Sequence, residues 1–254
     1  MIHQHFREDE RPFVERVLEW KARAEERYTP VRTDFLDPRQ QEIVKSIIGQ
    51  SNEIKVAFSG GYETAERRRA LILPPYSNES DYALSYFELI YPQKFVSIEH
   101  PSLLGSLLGL GVKRDKLGDL IIADERIQWV CAKEISDFLL MNMTQVGRSK
   151  VACKEIEPNE LAVPKEVWET KQGFVASLRC DAVLAEIYHL SRGKAAELIS
   201  GGKVKVNWKL VDKPSYELQT GDHLSVRRFG RSRIDHVQGM TKRGNLRIEY
   251  SSLK

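Results

Sequence analysis

The chain has 254 residues, 41% hydrophobic and 30% charged, which fits a packed fold of two or three domains and excludes a disordered polymer. No apolar run reaches the ~18 to 20 residues of a membrane span, and the polar start Met1-Ile2-His3-Gln4-His5 lacks the apolar stretch of a signal peptide, so a cytoplasmic address is expected. The net charge of +3 hides a basic end: from Lys171 onward there are 16 Lys and Arg against 8 Asp and Glu, which points to a polyanion partner there.

The first segment, 1–76, is expected to be a small αβ domain. Asp9 to Tyr28 reads as a helix with Phe13, Val14, Val17 and Leu18 on one stripe. Asp37-Pro38 is a helix start, Asp as N-cap and Pro at the first helical position. That helix continues through Ile43, Val44, Ile47 and Ile48 and stops at Gly49. Ile54 to Phe58 predicts a strand. Ser59-Gly60-Gly61 then turns into a polar helix over Glu63 to Arg69, either as a plain turn or as an anion-holding helix entry. Leu71 to Leu73 is a further strand candidate, and Pro74 to Ser80 a linker.

The second segment, 81–157, predicts strands over Ala83 to Tyr91, Gly118 to Ala123, Arg126 to Cys131 and Lys150 to Ile156. Two helices, Ser102 to Leu110 and Ala132 to Met143, are interleaved, and an Asp124-Glu125 turn joins the middle strands. The order βαββαβ is the ferredoxin-like, RRM-like arrangement. The aromatic signature of the common RNA-recognition motif is absent, so RNA binding by this segment stays open.

A second linker is placed at Glu157 to Pro164, and the third segment covers 165–254, with a core at 177–233. Ala182, Val183, Ile187 and Leu190 give one short helix an apolar face. Ser191 is read as the N-cap of a second, spanning about Gly193 to Ser200 and ending at Gly201-Gly202. An alternating strand follows, with Val204 and Val206 on one side and Lys203, Lys205 and Asn207 on the other. Leu224 to Val226 begins the next strand.

These residues carry a resemblance to the S-four (αL-type) RNA-binding domain. Its elements occur in order: Arg179 and Asp181, Ser191-Arg192, Gly202 to Asn207, Pro214-Ser215, then Gly221 to Leu224. The candidate RNA-binding residues are Arg179, Ser191, Arg192, Lys194, Lys203, Lys205, Asn207, Arg227 and Arg228, with Arg231 and Arg233 extending the basic surface. Arg192 and Lys194 sit at a helix N-terminus, where the dipole already favours a phosphate. Asp181 and Asp222 are read as turn or cap residues. One departure stands out: the S-four hairpin usually reads Asn-Gly, and here it is Asn207-Trp208. Either the turn differs, or Trp208 accepts a costly positive φ so as to sit exposed, where it is able to stack on a base.

No enzymatic motif emerges upstream. Synthetase, pseudouridine-synthase and phosphate-loop signatures are missing, and Gly109-Leu110-Gly111 lacks the third glycine of a dinucleotide loop. Cys131, Cys153 and Cys180 form no Cys-x-x-Cys pair, and His3, His5, His100, His189, His223 and His236 show no ligand spacing. No metal or cofactor is expected, and the thiols read as idle.

The whole chain resembles the YlmH family of bacterial proteins. The resemblance rests on Gln4-His5-Phe6-Arg7, Thr33 to Arg39, Phe58 to Glu63 and Leu110 to Asp119. It implies a non-enzymatic factor of ribosome-associated quality control, working as a monomer beside other quality-control factors. Its partners are then the ribosomal RNA of the large subunit and peptidyl-tRNA, and it supports C-terminal alanine tailing on obstructed subunits. The family also carries an older cell-division label. Two rival expectations remain, an RNA-modifying enzyme with an unrecognised site and a division-associated scaffold.

Overall fold

The computed structural model describes residues 6, 8–49, 51, 53–75, 77, 80–123, 125–163, 167–241 and 244–253. The predicted start 1–5, Arg7, Asp124 of the predicted turn, residues 76, 78, 79 and 164 of the two predicted linkers, and residues 165–166 of the third segment lie outside them. The chain divides into two units, 1–164 and 165–254. Among the described residues no helix is long and apolar enough to cross a membrane.

Unit 1 opens with α1 (Arg11–Glu26), which buries Val14, Val17 and Ala24, followed by β1 (Val31–Leu36). Helix α2 (Pro38–Ile48) starts as the sequence predicts: the Asp37 side chain accepts from Gln40 N at 2.8 Å, and Gln40 Oε1 accepts from Asp37 N at 2.9 Å. This reciprocal pair satisfies two backbone donors that every helix start leaves open. Strands β2 (Lys55–Ser59) and β3 (Arg68–Leu73) follow, and the sheet runs β1-β3-β2, all antiparallel.

The polar helix expected over Glu63 to Arg69 does not form. Asp119 takes the backbone N–H of Glu66 and Arg67 at 2.7 and 3.0 Å, and the Tyr62 hydroxyl at 2.7 Å. Those long-range bonds hold the segment as a turn that feeds β3. β1 was not anticipated either, because Arg32, Thr33 and Asp34 mask its apolar positions.

The second half of unit 1 comprises β4 (Leu84–Ile90), α3 (His100–Gly109), β5 (Leu117–Ala123), β6 (Arg126–Ala132), α4 (Ser136–Asn142), a small hairpin of β7 (Gln145–Val146) and β8 (Ser149–Lys150), and β9 (Ala152–Ile156). The sheet order β5-β6-β4-β9 is antiparallel throughout, the ferredoxin-like arrangement that the element order implies. The expected helix from Ala132 is shorter, because β6 runs through Ala132 and a 3-10 turn covers Lys133–Ile135. Phe87 and Trp129 stack at 5.4 Å in the core between sheet and helices.

The two halves of unit 1 interlock. A cluster of Phe35, Val130 and Ala132 joins β1 to β6. Gly118 permits it: a Cβ there would lie 2.8 Å from Phe35 Cε1. Around this apolar contact Lys116 bridges Asp34 at 2.5 Å and Glu134 at 3.0 Å, and Arg69 reaches Glu134 at 3.2 Å.

Unit 2 holds β10 (Trp168–Val175), α5 (Cys180–Ile187), α6 (Arg192–Ser200), β11 (Val204–Val206), β12 (Lys209–Leu210), β13 (His223–Val226), β14 (Gly230–Met240) and β15 (Leu246–Leu253). Six strands form one sheet in the order β10-β15-β14-β13-β11-β12. Its inner face buries Val204, Val206, Leu224, Val226, Ile234, Ile248 and Tyr250 against Val183, Leu184, Leu198 and Ile199 of the helices. The short S-four core is thus extended by three long strands, β10, β14 and β15.

Candidate nucleic-acid interface

The paired helices α5 and α6 place the candidate residues. Ser191 caps α6 as the sequence predicts, its Oγ accepting from Lys194 N at 3.2 Å. Extended φ/ψ at Arg179 and at Ser191 turns both helix entries toward the same point. At that point sits Asp181, in the first turn of α5 and only 5% exposed. Its Oδ2 accepts from Arg179 at 3.0 Å and from Arg192 at 2.9 Å.

Asp181 is therefore neither turn nor cap: the α5 N-cap, Arg179, makes no side-chain cap bond. The aspartate holds two part-exposed guanidiniums side by side. The hydrogen bond from Arg179 lowers the Asp181 pKa, and the bond and charge of Arg192 add to it, against the opposing effect of burial. Arg179 is raised in turn, chiefly by its bond to Asp181. Arg179 gives its Nε and Nη2 to the two oxygens of Asp181, and one carboxylate against two guanidiniums leaves a net positive charge, which favours phosphate oxygens.

The other candidates divide. Lys194 is exposed at the same helix entry, with its Nζ on Glu197 at 2.9 Å. Lys203 and Lys205 are exposed beside and on β11, and Lys205 points away from the buried Val204 and Val206. Arg227 and Arg228 are exposed in the turn between β13 and β14, which Phe229 N closes onto Val226 O at 2.9 Å. Asn207 is not brought to the patch by its amide. Nδ2 donates to Asp222 Oδ1 at 2.8 Å, and Oδ1 accepts from His223 N at 2.9 Å, so the side chain shapes the hairpin. Asp222 also accepts from Gln219 N at 2.8 Å, in keeping with a turn role.

The Asn207-Trp208 hairpin is the tight turn with both residues at positive φ, 48° and 61°. Trp208 does not project alone. It stacks on His223 at 5.5 Å, and Trp168 meets the same imidazole edge-on at 6.0 Å. The sequence reading missed Trp168, His223 and Arg233 as neighbours because β10 and β14 approach one another only through the sheet.

Burial pushes the Cys180 thiol up to about 12 and raises Cys131 further, and Cys153 is raised in the same way. Among the described residues no group of three His, Cys, Asp or Glu is placed to hold a metal.

Comparison with known proteins decides the family. Three family profiles match in tandem: "YlmH, N-terminal" over 9–77, "Putative RNA-binding domain in YlmH" over 77–160, and "S4 domain" over 178–224. The chain is also 43% identical over 255 residues to ribosome-associated protein quality control protein P2 of Bacillus subtilis, covering 100% of this chain and 99% of that one. The chain belongs to the YlmH family. The chain also has a partial likeness, 30% identity over 99 residues, to small ribosomal subunit protein uS4 of Fervidobacterium nodosum, covering 35% of this chain and 47% of that one. A solved YlmH structure, the cell division protein ylmH from Streptococcus pneumoniae, superposes with a TM-score of 0.56 at 26% identity. It covers 62% of this chain and 97% of that one.

Proposed function

We propose that this YlmH protein is a non-enzymatic, cytoplasmic RNA-binding factor of ribosome-associated quality control. It binds large ribosomal subunits that still hold peptidyl-tRNA, contacts both RNAs, and supports C-terminal alanine tailing of the stalled chain. The observation that carries this reading is the pair Arg179 and Arg192 held on the buried Asp181, in a chain 43% identical along its whole length to a quality-control protein.

The mechanism is positional. Arg179 and Arg192 take adjacent phosphates of a structured RNA, with Lys194, Lys203 and Lys205 adding long-range attraction. Phosphate contacts fix register and orientation and read no sequence, so the unit recognises the shape of an RNA helix. The ferredoxin-like half of unit 1 supplies a second RNA contact, and the protein acts as a monomer.

Two assays test the reading. Affinity for ribosomal RNA and for tRNA is measured across a salt series, and a steep salt dependence is expected. RNA recovered from the same incubations is digested and its nucleosides weighed. Unchanged nucleosides support a binding factor; a new modified nucleoside makes the protein an enzyme. The name of the pneumococcal structure favours a second reading, a division-associated scaffold. A tagged protein that marks the division site and ignores ribosomes supports that one instead.

A further inference from the structure

The outer face of the unit 2 sheet, the side away from α5 and α6, carries a feature that the phosphate clamp does not use. Trp208 and His223 lie nearly parallel, 5.5 Å apart at 25°, and Trp168 abuts His223 at 82°. Arg233 lies over the Trp168 ring at 5.3 Å. The strand register places this group on one surface. His223 pairs with Arg233, Arg233 with Ser251, and Ser251 with Thr170, two residues along β10 from Trp168. The neighbouring row pairs Lys205 with Ser225 and Ser225 with Arg231, so basic side chains flank the aromatic ones.

The backbone at Trp208 adds a second observation. Its φ of 61° is one that glycine adopts freely and a bulky side chain resists. Strain of this kind persists where the surroundings over-determine it, and it gathers at ligand-binding positions. Here the indole is part-exposed, with one ring face against the His223 imidazole.

We infer that Trp208, His223 and Trp168 form a stacking platform for unpaired bases of single-stranded RNA. A base extends the Trp208–His223 stack, while Lys205 and Arg231 accompany the backbone and Arg233 steadies the Trp168 ring. Aromatic faces accept any base, and basic side chains beside them track phosphates, so the combination selects single strands over duplex and has little sequence preference. The platform is a second RNA surface of the unit, on the opposite side of the sheet from Asp181. It rests on the RNA-binding reading given above and adds the class of RNA held.

The test uses the full chain and two labelled ten-residue ribose-phosphate strands of equal charge, one of uridines and one abasic, with binding followed by anisotropy. The wild type is expected to prefer the base-bearing strand about five-fold or more. Trp208→Gly relieves the positive φ, so it is expected to melt no lower than the wild type by more than a few degrees. Its preference nonetheless falls close to one-fold, with the salt slope unchanged, whereas Trp208→Phe keeps most of the preference. Arg179→Ala/Arg192→Ala is expected to flatten the salt slope for structured RNA and leave the single-strand preference intact. Equal binding of both strands by the wild type overturns the platform, and so does a Trp208→Gly protein that retains the preference. Binding of neither strand, nor of structured RNA, overturns the RNA-binding reading itself.

Discussion

The guanidiniums of Arg179 and Arg192 meet because one buried carboxylate stands between two helix entries. Half of this was legible in the chain. The spacing of Arg179 and Asp181 and the Ser191-Arg192 pair marked the right residues, but a local reading gave Asp181 a turn role, since its second partner lies eleven residues away. On the proposed reading the pair makes two phosphate contacts. The slope of log affinity against log salt is expected to flatten by about 1.5 to 2 units in Arg179→Ala/Arg192→Ala. A slope equal to that of the wild type removes both residues from the interface. The Trp208 platform was legible only as an oddity: a tryptophan where glycine fits best is visible in one sequence, but its two partners are not.

At the scale of elements, capping was readable and pairing was not. Asp37 and Ser191 both cap helices as expected, because a cap is a bond between residues three apart. Ser191→Ala is expected to cost unit 2 about 1 kcal/mol, read from its denaturation midpoint. The Glu63 to Arg69 stretch misled for the opposite reason. Its helix-forming residues are overruled by Asp119, more than fifty positions away. Gly118 shows the same dependence on distant chain. Gly118→Ala pushes against Phe35, and overpacking there is expected to destabilise unit 1 by about 1 to 3 kcal/mol in chemical denaturation.

The ionic ring beside Gly118 gives a pH prediction. Burial raises the Glu134 pKa, but its backbone hydrogen bond and the bonds from Lys116 and Arg69 outweigh that and hold it at about 2. An unfolded glutamate titrates near ~4.3, so the stabilisation is complete above about pH 5 and is lost as pH falls from there through 2. Glu134→Gln is therefore expected to be less stable than the wild type at pH 7, with the difference shrinking toward zero near pH 2. A difference that is constant across that range contradicts the assignment; acid unfolding followed by near-ultraviolet circular dichroism decides it.

At the scale of the molecule, the ferredoxin-like sheet and the S-four helices followed from element order and motif, while β10, β14 and β15 did not, since their pairing spans the whole C-terminal unit. What the sequence carried at this scale was charge: the excess of lysine and arginine after Lys171 falls on the unit that holds the Asp181 clamp. Family membership then turns a basic RNA-binding fold into a ribosome-directed proposal. The most direct measurement is sedimentation of lysates in which stalled large subunits accumulate, comparing the wild type with Arg179→Ala/Arg192→Ala. The wild type is expected to travel with the large subunit at low salt, and the double variant to remain at the top of the gradient while keeping its native melting curve. A wild-type protein that stays at the top, or a double variant that sediments as the wild type does, contradicts the account.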